Sequence, residues 1–337
     1  MTGPSIPGLH PARLARHVRR AIADCDLDLT GLVVLTEAGT GAYRITPAIA
    51  ATAGASRVIA LTRDTAYGRA SDVVRETAEL ASELGVADRI DIRTDRTAEA
   101  FGLADIVTNS GHVRPLDTQT AAWIRPDAVV SLMFEAWELD AARGDLDLEA
   151  LRARGVRLAG TNERHPHVDV FSFLGQKAVQ QLIDAGVGAR HSHVLVVCDN
   201  PFATYLVDGL RAAGTNVSLA DRPPASFDPN LDAVLVALRP TGGPVFGGAE
   251  ATGLTRAAPG AVLLQYWGDV DRRACAEVGL ACWPPEAPGS GHMGILPSAV
   301  GPEPILRLQT GGLKVGQVLL TDPADRTNAD REYLDEL

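Results

Sequence analysis

Cysteine is scarce in this sequence. Its 337 residues include only four cysteines: Cys25, Cys198, Cys275 and Cys282. Their wide and irregular spacing fits neither a metal-binding knuckle nor a disulfide framework. We therefore expect no metal centre and a reducing, cytoplasmic location. Cys198 allows two interpretations, a reactive thiol at a helix N-terminus or a small residue in the place of a glycine.

Positive charge is also in short supply. The chain has 31 Lys and Arg against 42 Asp and Glu, a formal net charge of −11. Nucleic acids and anionic membrane surfaces are bound by basic faces, so neither is expected as a partner. No run approaches the roughly 18 apolar residues of a membrane span. The arginine-rich Pro11–Cys25 either resembles a transit peptide or forms an amphipathic helix, and the helical spacing of its apolar residues favours the helix.

Short apolar runs alternate with helical patterns along the chain, which predicts an α/β fold with parallel sheets covered by helices on both faces. The predicted strands are Leu32–Leu35, Arg57–Leu61, Ile90–Ile92, Asp105–Thr108, Ala128–Leu132, Val156–Leu158, Val194–Val197, Asn216–Ala220, Ala233–Ala237 and Ala261–Leu264. The predicted helices are Ile45–Thr52, Ala70–Leu84, Asp117–Trp123, Asp147–Arg154, Val170–Ala185, Thr204–Ala213 and Pro304–Leu320.

Two doubly wound, Rossmann-like domains joined by interdomain helices account for this pattern. We expect a substrate-binding domain over residues 1–186, completed by a C-terminal helix within 300–337, and a dinucleotide-binding domain over 187–299. The adjacent glycines Gly311 and Gly312 lie inside a predicted helix. Each costs about 1 kcal/mol relative to alanine, which predicts close packing or a kink there.

A dinucleotide-binding unit is predicted from Val194 to Asp221, yet its phosphate loop contains no glycine. The order is strand, tight turn, helix, second strand and then an acid that can accept a hydrogen bond from a ribose. Bulkier residues occupy the turn. The residues expected around a bound nucleotide are Cys198, Asn200, Pro201, Phe202, Asp221, Pro240 and Trp267. Asp221 favours NAD over NADP, although the neighbouring Arg222 makes NADP possible.

Several segments resemble the D-2-hydroxyacid dehydrogenase superfamily in order and spacing. They are Leu148–Asn162, Val194–Asp221, Asp232–Thr241, Ala258–Asp271 and Gly291–Gly294. The resemblance implies a two-domain NAD-dependent oxidoreductase, a small-molecule substrate bound between the domains, and a homodimer.

The same resemblance assigns roles to individual residues. His292 would be the catalytic acid or base and Glu286 the carboxylate that orients it, because imidazole exchanges protons near neutral pH. Trp267 stands where the family places the arginine that holds the substrate carboxylate, and an indole cannot replace that contact. Arg239 is the candidate replacement.

The first domain offers a second group of candidates, which follow predicted strands: Glu37, Asn109, Ser110, His112, Glu135, Trp137 and Glu138. Ligands of open α/β sheets bind beyond the carboxyl ends of the strands. The glycine-rich segment Thr36–Tyr43 is either an anion-binding turn or an ordinary turn. Two acids and two aromatics in Phe134–Glu138 suit a cationic substrate, unless they form a solvated loop with its aromatics in the core.

Three functions remain compatible with the sequence. The first is an NAD(P)-dependent oxidoreductase acting on a small polar 2-hydroxy or 2-oxo acid, amino acid or imine. The second is an enzyme of the same fold with changed chemistry, such as a lyase. The third is a ligand-binding protein that has lost the cofactor.

Overall fold

The computed structural model describes residues 6–139 and 145–337, which divide into two compact units. Unit 1 comprises the chain up to Val170 together with Gly301–Leu337, and unit 2 comprises Phe171–Val300. No helix among the described residues is long and apolar enough to cross a membrane.

Unit 1 is built around a seven-stranded sheet. Its strands are β1 (Val33–Glu37), β2 (Arg57–Leu61), β3 (Ile90–Arg93), β4 (Ile106–Thr108), β5 (Val129–Ser131), β6 (Arg157–Thr161) and, at the C-terminus of the chain, β12 (Leu334–Asp335). Its helices are α1 (Pro11–Asp24), α2 (Ile45–Thr52), α3 (Ala70–Leu84), α4 (Ala98–Leu103), α5 (Thr118–Trp123), α6 (Leu148–Ala153), α11 (Glu303–Leu320) and α12 (Asn328–Arg331).

The strand order in unit 1 is β12-β6-β5-β4-β1-β2-β3. The first six strands are parallel, and β12 is antiparallel to β6. Without β12 this is the 3-2-1-4-5-6 order of the Rossmann dinucleotide-binding fold. The chain reverses its direction of winding between β1 and β4, so this pair marks the topological switch point.

Helix α11 belongs to unit 1. It packs without space for side chains at its central glycines, because a Cβ at Gly311 would lie 2.6 Å from a Val168 methyl carbon. The expectation of close packing at Gly311 and Gly312 is therefore confirmed.

Unit 2 contains a five-stranded parallel sheet of order β11-β10-β9-β7-β8. The strands are β7 (His193–Cys198), β8 (Asn216–Ala220), β9 (Ala233–Ala237), β10 (Val262–Trp267) and β11 (Cys282–Trp283). The helices are α7 (Leu174–Asp184), α8 (Phe202–Ala212), α9 (Gly248–Ala257) and α10 (Arg272–Glu277). Renumbered within the unit, the order is 2-1-3-4-5, which is that of flavodoxin-like sheets.

The division between the units falls earlier than the predicted boundary at residue 186, because α7 packs within unit 2. Gly175 and Gly209 bring the backbones of α7 and α8 into direct contact, and the Tyr266 hydroxyl donates to the Leu174 carbonyl at 3.1 Å. Helix α7 is thus part of the second core.

Candidate active site

Each sheet has one switch point, and each switch point is a candidate site because ligands of open α/β sheets bind outside the carboxyl ends of the strands there. In unit 1 the site lies between β1 and β4, and in unit 2 it lies between β7 and β9. The two differ in which polar groups remain able to contact a ligand.

In unit 2 the turns after β7 and β9 are hydrogen-bonded to each other. The Asn200 amide donates from Nδ2 to the Ala237 carbonyl at 2.6 Å, and its Oδ1 accepts from the Phe202 backbone amide at 3.0 Å. The Arg239 backbone amide donates to Asp199 Oδ1 at 3.0 Å. The protein's own side chains therefore occupy the mouth of this switch point.

Aromatic packing fills the space beside this turn. Phe202 and Trp267 are each only 4% exposed, with ring centroids 5.4 Å apart. Pro201 is half-buried as the residue that precedes α8. Cys198 is 5% exposed, and burial raises the pKa of its thiol to about 11, which favours the interpretation as a small residue in the place of a glycine.

A dinucleotide diphosphate needs free backbone amides and close approach at such a turn. Here the first two amides of α8 are bonded to Asn200, through its Oδ1 and its carbonyl oxygen, and the exposed Asp199 adds negative charge. The residues of the β7–α8 turn therefore do not fit a diphosphate. Of the other predicted nucleotide contacts, Asp221 is exposed and pairs with Arg222 at 3.5 Å, and Pro240 is half-buried.

The segment carrying His292 is anchored by a carboxylate other than the one we expected. Asp269 accepts from the Gly291 amide at 2.9 Å and from the Ser290 hydroxyl at 2.6 Å. Trp267 Nε1 donates to the Gly291 carbonyl at 3.0 Å. His292 is exposed, and within the described residues no hydrogen bond joins it to Glu286, which is also exposed. Sequence reasoning missed Asp269, although its position two residues after a buried strand was a usable signal.

In unit 1 the first group at the switch point is a cluster of three buried hydroxyls. Thr108 Oγ1 donates to Thr36 Oγ1 at 2.9 Å and lies 2.7 Å from Ser110 Oγ. Thr36 and Thr108 are residues of adjacent parallel strands, which brings the hydroxyls together. Of this group the sequence analysis selected only Ser110.

Glu37, the last residue of β1, is the unusual carboxylate of this site. It is 6% exposed, and burial raises its pKa to about 7 against a smaller lowering by the His112 amide and Arg114. The His112 amide donates to Glu37 Oε2 at 3.2 Å. Gly111 packs directly against the carboxylate, since a Cβ there would overlap Glu37 Oε2. Glu37 can therefore hold or release a proton near neutral pH.

The turn after Glu37 contains two glycines, and the structure calls for glycine at each of them for a different reason. A Cβ at Gly39 would lie 2.7 Å from the Tyr43 Cβ, so only glycine fits there. Gly41 has φ +62° and open space around its Cβ position. The 3-10 helix Gly41–Arg44 follows Thr40, which makes no side-chain cap. The Tyr43 amide donates to the Thr40 carbonyl at 3.2 Å, whereas the Gly41 and Ala42 amides have no intrahelical partner and are donors of the kind that bind an anion.

Glu135 and Trp137 form a closed cluster instead of presenting charge to a ligand. Glu135 is fully buried; its oxygens accept from Arg164 Nε at 3.0 Å and Nη2 at 3.1 Å, and from Trp137 Nε1 at 2.7 Å. Glu138 Oε1 accepts from the Glu135 amide at 3.1 Å. The interpretation of this loop as a site for a cationic substrate is therefore wrong for Glu135, because Arg164 neutralises it.

Asn109 joins the segments that follow β4 and β5 at the same edge of the sheet. Its Oδ1 accepts from the Met133 amide at 2.7 Å and its carbonyl accepts from Arg114 Nε at 2.5 Å. The predicted substrate residues thus all lie at or after the carboxyl ends of strands of one sheet. Glu37, Ser110 and His112 lie together around the β1–β4 switch point, whereas Glu135, Trp137 and Glu138 belong to the cluster after β5.

Comparison with solved structures shows what this fold resembles. A dipicolinate synthase subunit from Bacillus halodurans superposes with a TM-score of 0.54 at 12% sequence identity, covering 88% of this chain and 100% of that chain. The corresponding dipicolinate synthase chain from Bacillus subtilis gives 0.52 at 11% identity, covering 87% and 97%. A cofactor (NAD+)-bound 3-phosphoglycerate dehydrogenase from Entamoeba histolytica gives 0.44 at 8% identity, covering 86% and 95%.

No family model matches the sequence, and no curated protein does. The similarity is therefore one of fold. It confirms the predicted α/β architecture of two parallel-sheet units covered by helices.

Proposed function

We propose that the chain is an NAD(P)-dependent oxidoreductase acting on a small polar molecule, and that unit 1 binds the dinucleotide. The observation that carries this proposal is the Rossmann strand order of unit 1 with Gly39-Thr40-Gly41 at its β1–β4 switch point. The fold shared with the two dipicolinate synthase structures supports an enzyme acting on a small molecule. The closed turn of unit 2 argues against the position expected from the sequence.

The turn after β1 can hold a diphosphate. Gly41 leaves room for the close approach of phosphate oxygens, and the amides of Gly41 and Ala42 at the start of the 3-10 helix supply hydrogen-bond donors. The third glycine of the usual Gly-x-Gly-x-x-Gly pattern is replaced by Arg44. This arginine is buried, pairs with Glu76 and donates to the Leu9 carbonyl at 2.7 Å, so it fixes the start of α2 and does not extend toward the turn.

When bound, the nicotinamide ring supplies the donor or acceptor of a hydride. Reduction of a C=O or C=N bond, or its reversal, also needs a proton to be delivered or removed. Glu37 is suited to this task because its pKa is raised to about 7 by burial. The hydroxyls of Thr36, Thr108 and Ser110 offer polar contacts to the substrate at the same edge.

Binding measurements on matched glycine variants test the proposal. NADH and NADPH are titrated into the wild type, Gly41→Val and Gly279→Val, with tryptophan fluorescence as the readout. Gly41 and Gly279 both have positive φ and open space at the Cβ position, so the two variants carry similar strain. We expect Gly41→Val to weaken dinucleotide binding at least tenfold and Gly279→Val to leave it unchanged.

Three outcomes would contradict parts of the proposal. If Gly41→Val binds like the wild type while Phe202→Asp loses binding, the dinucleotide binds in unit 2. If no dinucleotide binds and none raises the unfolding temperature, the chain is a ligand-binding protein of this fold. Binding of NAD(H) without turnover of any 2-oxo acid, 2-hydroxy acid or imine would favour changed chemistry.

A further inference from the structure

We infer that the loop following β2, residues 62–69, binds the adenosine portion of the dinucleotide, that Arg63 binds a 2′-phosphate, and that the protein therefore prefers NADP(H) to NAD(H). This inference rests on the proposed function and names the specificity of the same site. It reverses the preference for NAD that Asp221 suggested in the sequence.

The first observation is the position of Arg63 directly after the second strand of the sheet. In a Rossmann sheet the residues just after the second strand meet the adenosine ribose; an acid there binds the 2′-hydroxyl, whereas an arginine accommodates a 2′-phosphate. Here β2 ends at Leu61 and is followed by Thr62, Arg63 and Asp64. Asp64 already caps α3, since its Oδ1 accepts from the Ala70 amide at 2.8 Å.

Arg63 itself remains available to a ligand. It is exposed, and across residues 6–139 and 145–337 it forms no hydrogen bond or ion pair. A planar guanidinium matches the geometry of a phosphate group and binds it by charge-assisted hydrogen bonds. Arg63 is therefore the side chain that can distinguish a ribose 2′-phosphate from a 2′-hydroxyl.

The charge of Arg63 at this edge of the sheet is the second observation. Arg63 is close enough to His112 and Arg96 for its charge to contribute to lowering the pKa of both, after the larger effect of their burial. The Arg96 guanidinium is fixed by the Pro115 carbonyl and by Thr120 Oγ1 at 3.1 Å. Asp117 counters the charge of Arg96, so the exposed Arg63 is the cation that an anionic ligand can meet at this edge.

Tyr67 is the third observation. It is 75% exposed, more than any other large hydrophobic side chain that the structure describes. Its backbone is held in a tight turn, with the Tyr67 amide donating to Thr65 Oγ1 at 3.1 Å and mutual hydrogen bonds between Thr65 and Gly68. An exposed ring on an ordered turn is a surface on which an adenine can stack.

The test uses two fragments that differ only in the 2′-phosphate, 2′,5′-ADP and 5′-AMP, titrated calorimetrically into the intact protein. The wild type should bind 2′,5′-ADP about tenfold to a hundredfold more tightly than 5′-AMP, the range expected for hydrogen bonds to a charged group. Arg63→Ala should reduce the affinity for 2′,5′-ADP to that for 5′-AMP. Arg222→Ala, which removes an exposed arginine at the corresponding place after β8, should change neither.

Tyr67 is tested with the same fragments. Tyr67→Ala should weaken both by about fivefold or more, as loss of base stacking does, and Tyr67→Phe should restore both. Unchanged affinities in Tyr67→Ala would remove the ring from the adenosine site.

The outcomes separate the inference from the proposed function. Equal wild-type affinities for the two fragments, with NADH and NADPH binding equally and lost together in Gly41→Val, would overturn the 2′-phosphate assignment and leave the proposed function standing. Loss of 2′,5′-ADP selectivity in Arg222→Ala, with Arg63→Ala unaffected, would move the adenosine site to unit 2. Absence of binding by every nucleotide would overturn both.

Discussion

Glu37 Oε2 accepts a hydrogen bond from the His112 backbone amide at 3.2 Å, which joins the turn after β1 to the turn after β4. The bond crosses the switch point of unit 1 and holds a buried carboxyl where the Rossmann order places a ligand.

Glu37 should make the stability of the protein depend on pH. Its pKa is raised from 4.5 to about 7 in the folded chain, so the folded state holds the proton more tightly than the unfolded state does. This contribution is fully present below pH 4.5 and is lost as the pH rises through 7. Relative to Glu37→Gln, the wild type should lose about 2 to 3 kcal/mol of unfolding free energy between pH 5 and pH 8. Urea unfolding of both proteins at each pH measures this loss. If the unfolding free energies of the two proteins change in parallel with pH, the raised pKa of Glu37 is contradicted.

The same group should couple dinucleotide binding to a proton. A bound diphosphate would raise the pKa of Glu37 further, because like charges disfavour ionisation; Arg114 acts in the opposite direction, and Tyr43 faces the carboxyl as a neutral phenol. NADH affinity should therefore fall as the pH rises above 7, by up to about tenfold per unit, and Glu37→Gln should flatten the profile. Calorimetry in two buffers of different ionisation enthalpy counts the protons, and zero uptake at pH 8 would exclude the coupling.

Gly111→Ala should disturb the Glu37 carboxyl directly, because the new methyl group overlaps Glu37 Oε2. We expect a loss of about 1 to 3 kcal/mol in unfolding free energy, which shrinks in a Glu37→Ala background. Gly102→Ala is the matched control, since a Cβ there makes ordinary contact at 3.6 Å in helix α4 and should be neutral or slightly stabilising. Equal effects of Gly111→Ala in both backgrounds would show that the cost arises elsewhere.

Arg164→Ala should destabilise unit 1 because, among the residues that the structure describes, Trp137 would remain as the one side-chain donor to the buried Glu135. Arg164 is 49% exposed on its side chain, so water compensates partly and we expect about 1 to 3 kcal/mol, below the cost of breaking a fully buried pair. Arg164→Lys should recover only part of the loss because lysine cannot make the bidentate contact. Adding Glu135→Gln to Arg164→Ala should restore stability in urea unfolding; no recovery would mean that the buried charge is not the cause.

Gly209→Ala should destabilise unit 2, because the added carbon overlaps the Gly175 backbone where α7 and α8 touch. The helices must separate, at a cost of about 1 to 3 kcal/mol or more. Gly253→Ala, in α9, meets a Phe227 ring carbon at 3.5 Å and should be neutral or stabilising. Thermal unfolding compares the two, and equal unfolding temperatures would refute the close contact.

Local patterns predicted much of the secondary structure. Arg57–Leu61, Ala70–Leu84 and Ala233–Ala237 have the predicted bounds. The two strands are short apolar runs and the helix has a clear helical period, and each is flanked by residues that end its pattern. The strands β11 and β12 were not predicted, since two residues show no period. The predicted helix over Val170–Ala185 begins only at Leu174, after a 3-10 turn at Phe171–Phe173.

Less of the candidate site than of the secondary structure could be predicted from the sequence. Glu37, Ser110 and His112 were selected because they follow strands, and the structure places them around one switch point. The β7–α8 turn was selected by its strand-turn-helix order, but the hydrogen bonds of Asn200 that close it depend on Ala237, which lies far along the chain. The expected pairing of His292 with Glu286 followed the resemblance, whereas Asp269 anchors that segment.

The sequence by itself determined the alternation of strands and helices and the absence of glycine from the β7–α8 turn, because both are properties of neighbouring residues. Only the tertiary structure decided which unit has the Rossmann strand order, that Glu37 is buried against Gly111, and that Arg164 neutralises Glu135. Strand order and burial depend on pairing between distant segments, and the local period of a sequence carries no information about those partners.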